Sequence, residues 1–215
     1  MSAAERRKQS ESDTREKMVV AAIRLFAEKG VEGVSLRAVG KEAGQRNTAA
    51  VQYHFGSREG LLRAALEQIL KVLEVEDAKE REEVDSFRES LQLTPVATLL
   101  WDEVMPLLML PERVEWGAEG LKLMARVVMG EVPAMAEMLE RLTASSQTAF
   151  LRKLSSLCPH VPLSILETRL DLVYMTVICS EASSYTNERL SEQDIGQQLL
   201  ILLEFLAGGL NAPVR

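Results

Sequence analysis

The chain has 215 residues, enough for one or two domains of about 100–200 residues each. Hydrophobic residues make up 47%, an ordinary globular content. No apolar run reaches the ~18 residues that a membrane span needs, since the richest stretch, Leu199 to Leu206, is interrupted by Glu204. The net charge of −7 would argue against a nucleic-acid partner if it were evenly spread. It is not: residues 1–63 carry twelve basic and eight acidic side chains, a net of +4, and the remainder thirteen and twenty-four, a net of −11. A basic head on an acidic body favours phosphate at one end and repels it from the rest. Cys158 and Cys179 are the only cysteines and have no metal-ligand spacing around them, so two free thiols in a reducing cytoplasm are expected. The N-terminus is polar through Lys17 and shows no secretory signal.

In chain order, residues 1–13 are polar and contain Arg6-Arg7-Lys8, which reads as a disordered arm. A helix is predicted from Asp13 or Thr14 to about Lys29, with Met18, Ala22, Leu25 and Phe26 at the 3.6-residue period and Gly30 as its stop. Ser35 caps a short helix over 35–43, and Gly44 stands where that helix should end in a left-handed cap. Asn47 can cap a second short helix, Thr48 to Phe55. Gly56 ends that one, and Ser57 caps a third. Two short helices around a tight glycine turn make a helix-turn-helix, with residues 14–57 as its domain. Phe26, Leu36, Val39, Val51 and Phe55 are its expected core, too small to be stable without help.

In such a motif the exposed start of the second helix reads base edges. Val51 and Phe55 face inward, which turns Thr48, Ala49 and Gln52 outward. Gln52 suits bidentate contact with adenine, and Thr48 a thymine methyl or a phosphate. Tyr53 and His54 either donate to phosphates or complete the small core. Arg37, Lys41, Arg46 and Arg58 can bracket the groove, and Ser57 and Arg58 stand at a helix N-terminus, where free N–H groups attract phosphate. Arg37, Arg46, Asn47, Thr48, Ala49, Gln52, Tyr53, His54, Ser57 and Arg58 are thus the candidate DNA-binding residues.

The stretch from about 14 to 65 resembles the tetracycline-repressor (TetR) family of transcriptional regulators. The resemblance rests on Leu25-Phe26-Ala27-Glu28-Lys29-Gly30, Val34-Ser35-Leu36-Arg37-Ala38-Val39, Ala43-Gly44, Val51-Gln52-Tyr53-His54-Phe55 and Ser57-Arg58-Glu59-Gly60-Leu61-Leu62. Three features depart from the family pattern. The turn Gly44 to Asn47 is one residue longer than is common, Gln52 replaces the usual tyrosine, and Gly40 sits where alanine is common.

Arg58 to about Lys71 forms a connector helix with an apolar side of Leu61, Leu62, Ala65, Leu66, Ile69, Leu70 and Leu73, giving a segment 58–73. Residues 74–93 are highly charged and read as a mobile loop at a domain boundary. From Thr94 to the end, a second helical domain is expected over 94–215. Its helices are Val96–Leu110, broken by Pro111, then Glu112–Val128, Pro133–Leu157, Leu163 to about Ser184 and Glu192–Ala207, the last ended by Gly208-Gly209. The chain therefore reads as all-α.

The last two of those helices are apolar on more than one face. Leu166, Leu170, Val173, Tyr174, Val177 and Ile178 form one stripe, with Leu172, Met175 and Cys179 off it, and Ile195, Leu199, Leu202 and Leu206 form another, with Leu200, Leu203 and Phe205 off it. Both faces must be buried, which a homodimer through a four-helix bundle achieves, as does a large monomeric core. Trp101, Met105, Met109, Trp116, Met124, Phe150, Tyr174 and Met175 could line an apolar pocket for a small-molecule effector or simply fill the core. The resemblance implies the pocket, the homodimer and a palindromic double-stranded DNA operator. No cofactor, metal or membrane partner is expected. An enzyme finds no support: His54 and His160 lie in separate segments, and no phosphate loop or catalytic set is spaced in the chain. A sequestering module without DNA activity is the other alternative.

Overall fold

The computed structural model describes residues 3–45, 47, 49–74, 78–182 and 195–214. No glycine or proline interrupts the chain between Ala3 and Lys29, and one helix, α1 (Ala3–Lys29), runs the whole way. The expected disordered arm over 1–13 is therefore helical from Ala3 onward. Its exposed turns are tied by Gln9 donating to Asp13 and the Thr14 hydroxyl donating to the Ser10 carbonyl, each at 2.8 Å. Among the described side chains, burial starts only at Met18.

The other helices are α2 (Leu36–Glu42), α3 (Ala49–Phe55), α4 (Arg58–Glu74), α5 (Ala78–Ser90), α6 (Pro95–Leu108), α7 (Leu110–Arg113), α8 (Gly117–Val128), α9 (Pro133–Leu157), α10 (Leu163–Ala182) and α11 (Ile195–Asn211). No strand occurs among the described residues, so the chain is all-α. No helix among them is long and apolar enough to cross a membrane. The chain divides into two compact units, Met1–Val72 with Pro111–Met138, and Leu73–Leu110 with Leu139–Arg215.

In the first unit α1 packs on α2 and on α8, and α2 packs on α3. Phe26, Val39 and Val51 are fully buried, while Leu36 and Phe55 are half-buried. The remainder of this core comes from Ile23 of α1, Leu61, Leu62, Leu66 and Ile69 of α4, and Leu121, Leu123 and Val127 of α8. The sequence reading assigns α8 to a separate domain over 94–215. The physical reason for the difference is core size: three short helices bury too little, and α8 supplies the missing apolar face. The Arg126 side chain joins them with polar bonds, Nε donating to the Ala27 carbonyl at 3.0 Å and a terminal nitrogen pairing with Glu131 at 2.6 Å.

In the second unit α10 and α11 pack on α6 and on each other. The expected loop over 74–93 is instead helical from Ala78 to Ser90. Its charged residues are good helix formers, and it has an inner side: the Phe87 ring lies 6.1 Å from Trp101, and Arg88 reaches Asp85 at 3.1 Å and Asp102 at 3.2 Å. Helix α6 is capped from a distance, since both the main-chain N–H and the hydroxyl of Thr94 donate to the Glu204 carboxylate of α11, at 2.8 and 2.9 Å.

Three predicted boundaries shift. Val96–Leu110 ends at Leu108, and Pro111 lies inside α7 rather than breaking the chain, because the first turn of a helix has no N–H to lose there. Glu112–Val128 is divided by a turn over 114–116 before α8. Gly208-Gly209 do not end α11, which continues to Asn211. Its last carbonyls are occupied by side chains, Arg169 donating to Leu210 and Ala212 at 2.8 and 2.6 Å, and His160 Nε2 lying 2.9 Å from the Asn211 carbonyl. In α10 the stripe Leu166, Leu170, Val173, Val177 and Ile178 is buried. In α11 the buried set is Leu203, Leu206, Ala207 and Leu210. Leu199 and Leu202 are half-buried, and the Ile195 side chain lies outside the described ones.

Candidate nucleic-acid interface

The local sequence explains each boundary of the helix-turn-helix. Ser35 is extended at φ −92°, ψ 149°, and its hydroxyl oxygen accepts from the Ala38 N–H at 3.1 Å, capping α2. At the other end Gly44 adopts φ +69°. The Gln45 N–H reaches the Gly40 carbonyl at 2.8 Å and the Gly44 N–H reaches that of Lys41 at 3.0 Å. This pair of bonds is a Schellman motif, which needs the left-handed conformation that glycine takes without cost. Asn47 then caps α3, its side-chain oxygen accepting from the Ala49 N–H at 3.0 Å. Gly56 closes α3, and the Ser57 oxygen accepts from the Gly60 N–H at 3.0 Å to cap α4. The Glu59 carboxylate sits below its ordinary range, because hydrogen bonds from its own main chain and from Ser57 favour the charged form.

On this frame Val51 is fully buried, and the opposite side of α3 is open. Ala49 and Gln52 are exposed, and Tyr53 is 82% exposed, so it does not complete the core. His54 is half-buried between two rings, edge-on to Tyr53 at 5.3 Å and tilted against Phe55 at 6.1 Å. The Gln52 amide donates to the Gly56 carbonyl, so base readout requires that this internal bond be given up. Asn47 and Ser57 are exposed but already serve as caps, and Arg37 is exposed on α2. Arg46 and Thr48 lie outside the described residues. Arg58 is half-buried and paired with Glu32 at 2.6 Å.

Two residues at this surface escape the sequence reading. Arg15 of α1 places its guanidinium 5.2 Å from the centre of the Phe55 ring, a cation–π contact that ties the long first helix to the end of α3. Arg15 falls within the first predicted helix, but its partner Phe55 is 40 positions away, and no local pattern signals the contact. Glu32 carries no local signal, because its partner is 26 residues away.

The candidate effector residues separate between the units. Trp116 and Met124 belong to the first, and Trp101, Met105, Met109, Phe150, Tyr174 and Met175 to the second. Trp101, Met105, Trp116, Met124 and Phe150 are buried, while Met175 is 41% exposed. Trp116 rests against Gly120, where a side chain would come within 3.3 Å of its ring. The Tyr174 hydroxyl donates to Glu103 at 2.6 Å, a polar pair that the periodicity of the stripes conceals. Among the described residues no group of His, Cys, Asp and Glu is arranged to hold a metal ion.

Residues 19–65 match a family described as bacterial regulatory proteins, tetR family. Among solved structures the chain is similar to a HlyIIR mutant protein in which an internal segment is substituted by a linker, at 18% identity over 89% of this chain and 97% of that one, with a TM-score of 0.55. It is also similar to a protein from Rhodococcus sp. assigned to the TetR-family transcriptional regulators, at 18% identity over 91% of this chain and 99% of that one, with a TM-score of 0.50. At such identity these likenesses show the fold. No curated protein matches the chain.

Proposed function

We propose, from the premise that the chain belongs through residues 19–65 to the tetR family of bacterial regulatory proteins, that this helix-turn-helix DNA-binding regulator is a repressor released from a palindromic operator by a small apolar or aromatic effector. The observation that carries the reading is the open face of α3. Tyr53 stands in solvent and Gln52 is exposed beside it, its amide turned back to the Gly56 carbonyl, above a fully buried Val51 on a helix fixed at both ends by caps. Arg37 and Arg58 flank it with positive charge. A helix of this length presents three or four side chains to a major groove, with phosphate contacts on either side.

Two copies are needed to read a palindrome, with recognition helices about 34 Å apart. The apolar residues exposed on α10 and α11, Leu172, Met175, Ile201 and Phe205, support a homodimer. The buried aromatic and methionine side chains of the second unit support an apolar effector there. Its binding free energy must favour a spacing of the recognition helices that does not fit DNA, with α4 as the element that shifts.

Electrophoretic mobility shift against the DNA upstream of the protein's own gene tests the reading. Arg58→Ala should weaken binding to every sequence and flatten the salt dependence, by about 0.9 in the log–log slope per phosphate lost. Gln52→Ala should relax discrimination at one base pair by roughly 1–3 kcal/mol. The absence of any shift, or an unchanged shift in both variants, overturns the reading.

A further inference from the structure

We propose that Glu32 is a built-in competitor for the phosphate that Arg58 meets on DNA, holding down the affinity of this surface for any duplex. The inference rests on the reading of Arg58 as a phosphate contact. The two residues are 26 positions apart, yet an Arg58 guanidinium nitrogen lies 2.6 Å from a Glu32 carboxylate oxygen.

The backbone fixes where Glu32 stands. Val31 and Val34 are buried at 4% and 2%, pinning both sides of the turn between α1 and α2. Gly33 has no room for a side chain, since a Cβ there would fall 2.5 Å from the Lys29 carbonyl oxygen. Ser35 then locks the start of α2 through Ala38. Glu32 is therefore presented outward by a turn with little freedom, directly beside the N-terminus of α4.

The pair is also built to open. The Glu32 side chain is 85% exposed and that of Arg58 33%. Releasing Glu32 returns an already hydrated carboxylate to water, whereas the Arg58 side chain is only one-third exposed. An exposed pair of this kind is weak and screened by salt, so a phosphate can displace it, but only after the pair has been broken. The freed carboxylate is left near the DNA backbone, where it repels. Arg37 supplies the contrast: among the described residues it has no carboxylate within ion-pair distance.

The test compares the full-length wild-type chain, Glu32→Gln, Arg58→Ala and the double variant. Each is titrated with two duplexes of equal length, one from upstream of its own gene and one of random sequence, over a range of salt. Glu32→Gln should bind both duplexes about two- to five-fold more tightly per protomer at low salt. Its log–log salt slope should steepen by up to about 0.9 per protomer. In the Arg58→Ala background the same substitution should give a distinctly smaller gain, because only the repulsion between the free Glu32 carboxylate and phosphate is then relieved. A gain from Glu32→Gln that is as large without Arg58 as with it, or unchanged or weaker binding by Glu32→Gln, overturns the competition while leaving the regulatory reading intact. A wild-type chain that binds neither duplex overturns both. Circular dichroism and the unfolding midpoint of Glu32→Gln should match wild type, since its side chain lies in solvent.

Discussion

The Tyr174 hydroxyl donates to the Glu103 carboxylate at 2.6 Å, joining α10 to α6 within the second unit. Burial pushes the Glu103 carboxyl above its ordinary value, against the opposing effect of the Tyr174 bond. Burial, and then the adjacent carboxylate, push the Tyr174 phenol far up as well, so it remains a donor at any physiological pH. Between the unfolded carboxyl value, about 4.3, and the raised native one, the folded chain binds more protons, so stability falls as pH rises through that window. Glu103→Gln keeps an acceptor for Tyr174 and removes the charge. It should raise the unfolding midpoint at pH 7 and flatten this part of the pH profile. Tyr174→Phe removes the bond that favours the charged form and should cost about 1–2 kcal/mol at pH 7, and less near pH 4. Urea unfolding at the two pH values decides, and parallel profiles for all three chains would refute the assignment.

Arg126 links α8 to the last turn of α1 through the Ala27 carbonyl and is steadied by Glu131. Arg126→Ala should destabilise the first unit by roughly 1.5–3 kcal/mol, the range for hydrogen bonds to a charged group, and Arg126→Lys should recover only part of it. The two tryptophans separate the units, Trp116 in the first and Trp101 in the second. In a Trp101→Phe background the remaining fluorescence follows the first unit. A midpoint unchanged by Arg126→Ala in that background would show that the bond contributes nothing.

The cap that Glu204 places on Thr94 should behave as an N-cap does, although it comes from a different helix. Glu204→Ala should cost about 1 kcal/mol, read from Trp101 fluorescence in a Trp116→Phe background. Glu204→Gln retains one acceptor oxygen and should lie between. If Thr94→Ala and Glu204→Ala add fully in the double variant, the two residues are not coupled.

Local chemistry carried most of the helix-turn-helix into view. Ser35, Gly44, Asn47, Gly56 and Ser57 announce caps through side-chain and backbone preferences that act within three residues, and each is found at the end it was expected to mark. Interactions across long separations were not legible. Glu32 and Arg58 are brought together by a turn, Thr94 and Glu204 by packing 110 positions apart, and nothing in either local pattern signals it. The charged stretch 74–93 reads as a loop because its apolar residues are few, yet Phe87 and Arg88 set α5 against Trp101 and Asp102. The periodicity of α8 correctly implied a buried face. It could not say that the face would lie on α1 rather than among the helices that follow.

The apolar residues left in solvent on α10 and α11 carry the last prediction. Ile201 and Phe205 are four apart on α11 and share a face, 61% and 71% exposed, and Leu172 and Met175 share one on α10 at 55% and 41%. On α11 the protomer's own core takes the other side, Leu203, Leu206, Ala207 and Leu210. Replacing Ile201 and Phe205 by Glu therefore removes no core contact and should leave the helical content and unfolding midpoint near wild type. Placed against a second copy, the same charges would be desolvated without partners, which a dimer interface does not tolerate. Sedimentation should accordingly report a dimer for wild type and a monomer for the double variant. Loss of the second recognition helix converts an intramolecular contact into a bimolecular one, so affinity for a palindromic duplex should fall by a hundred-fold or more, on the order expected from lost effective concentration. A double variant that still sediments as a dimer would place the interface elsewhere, and one that is monomeric with undiminished DNA affinity would remove the need for two copies.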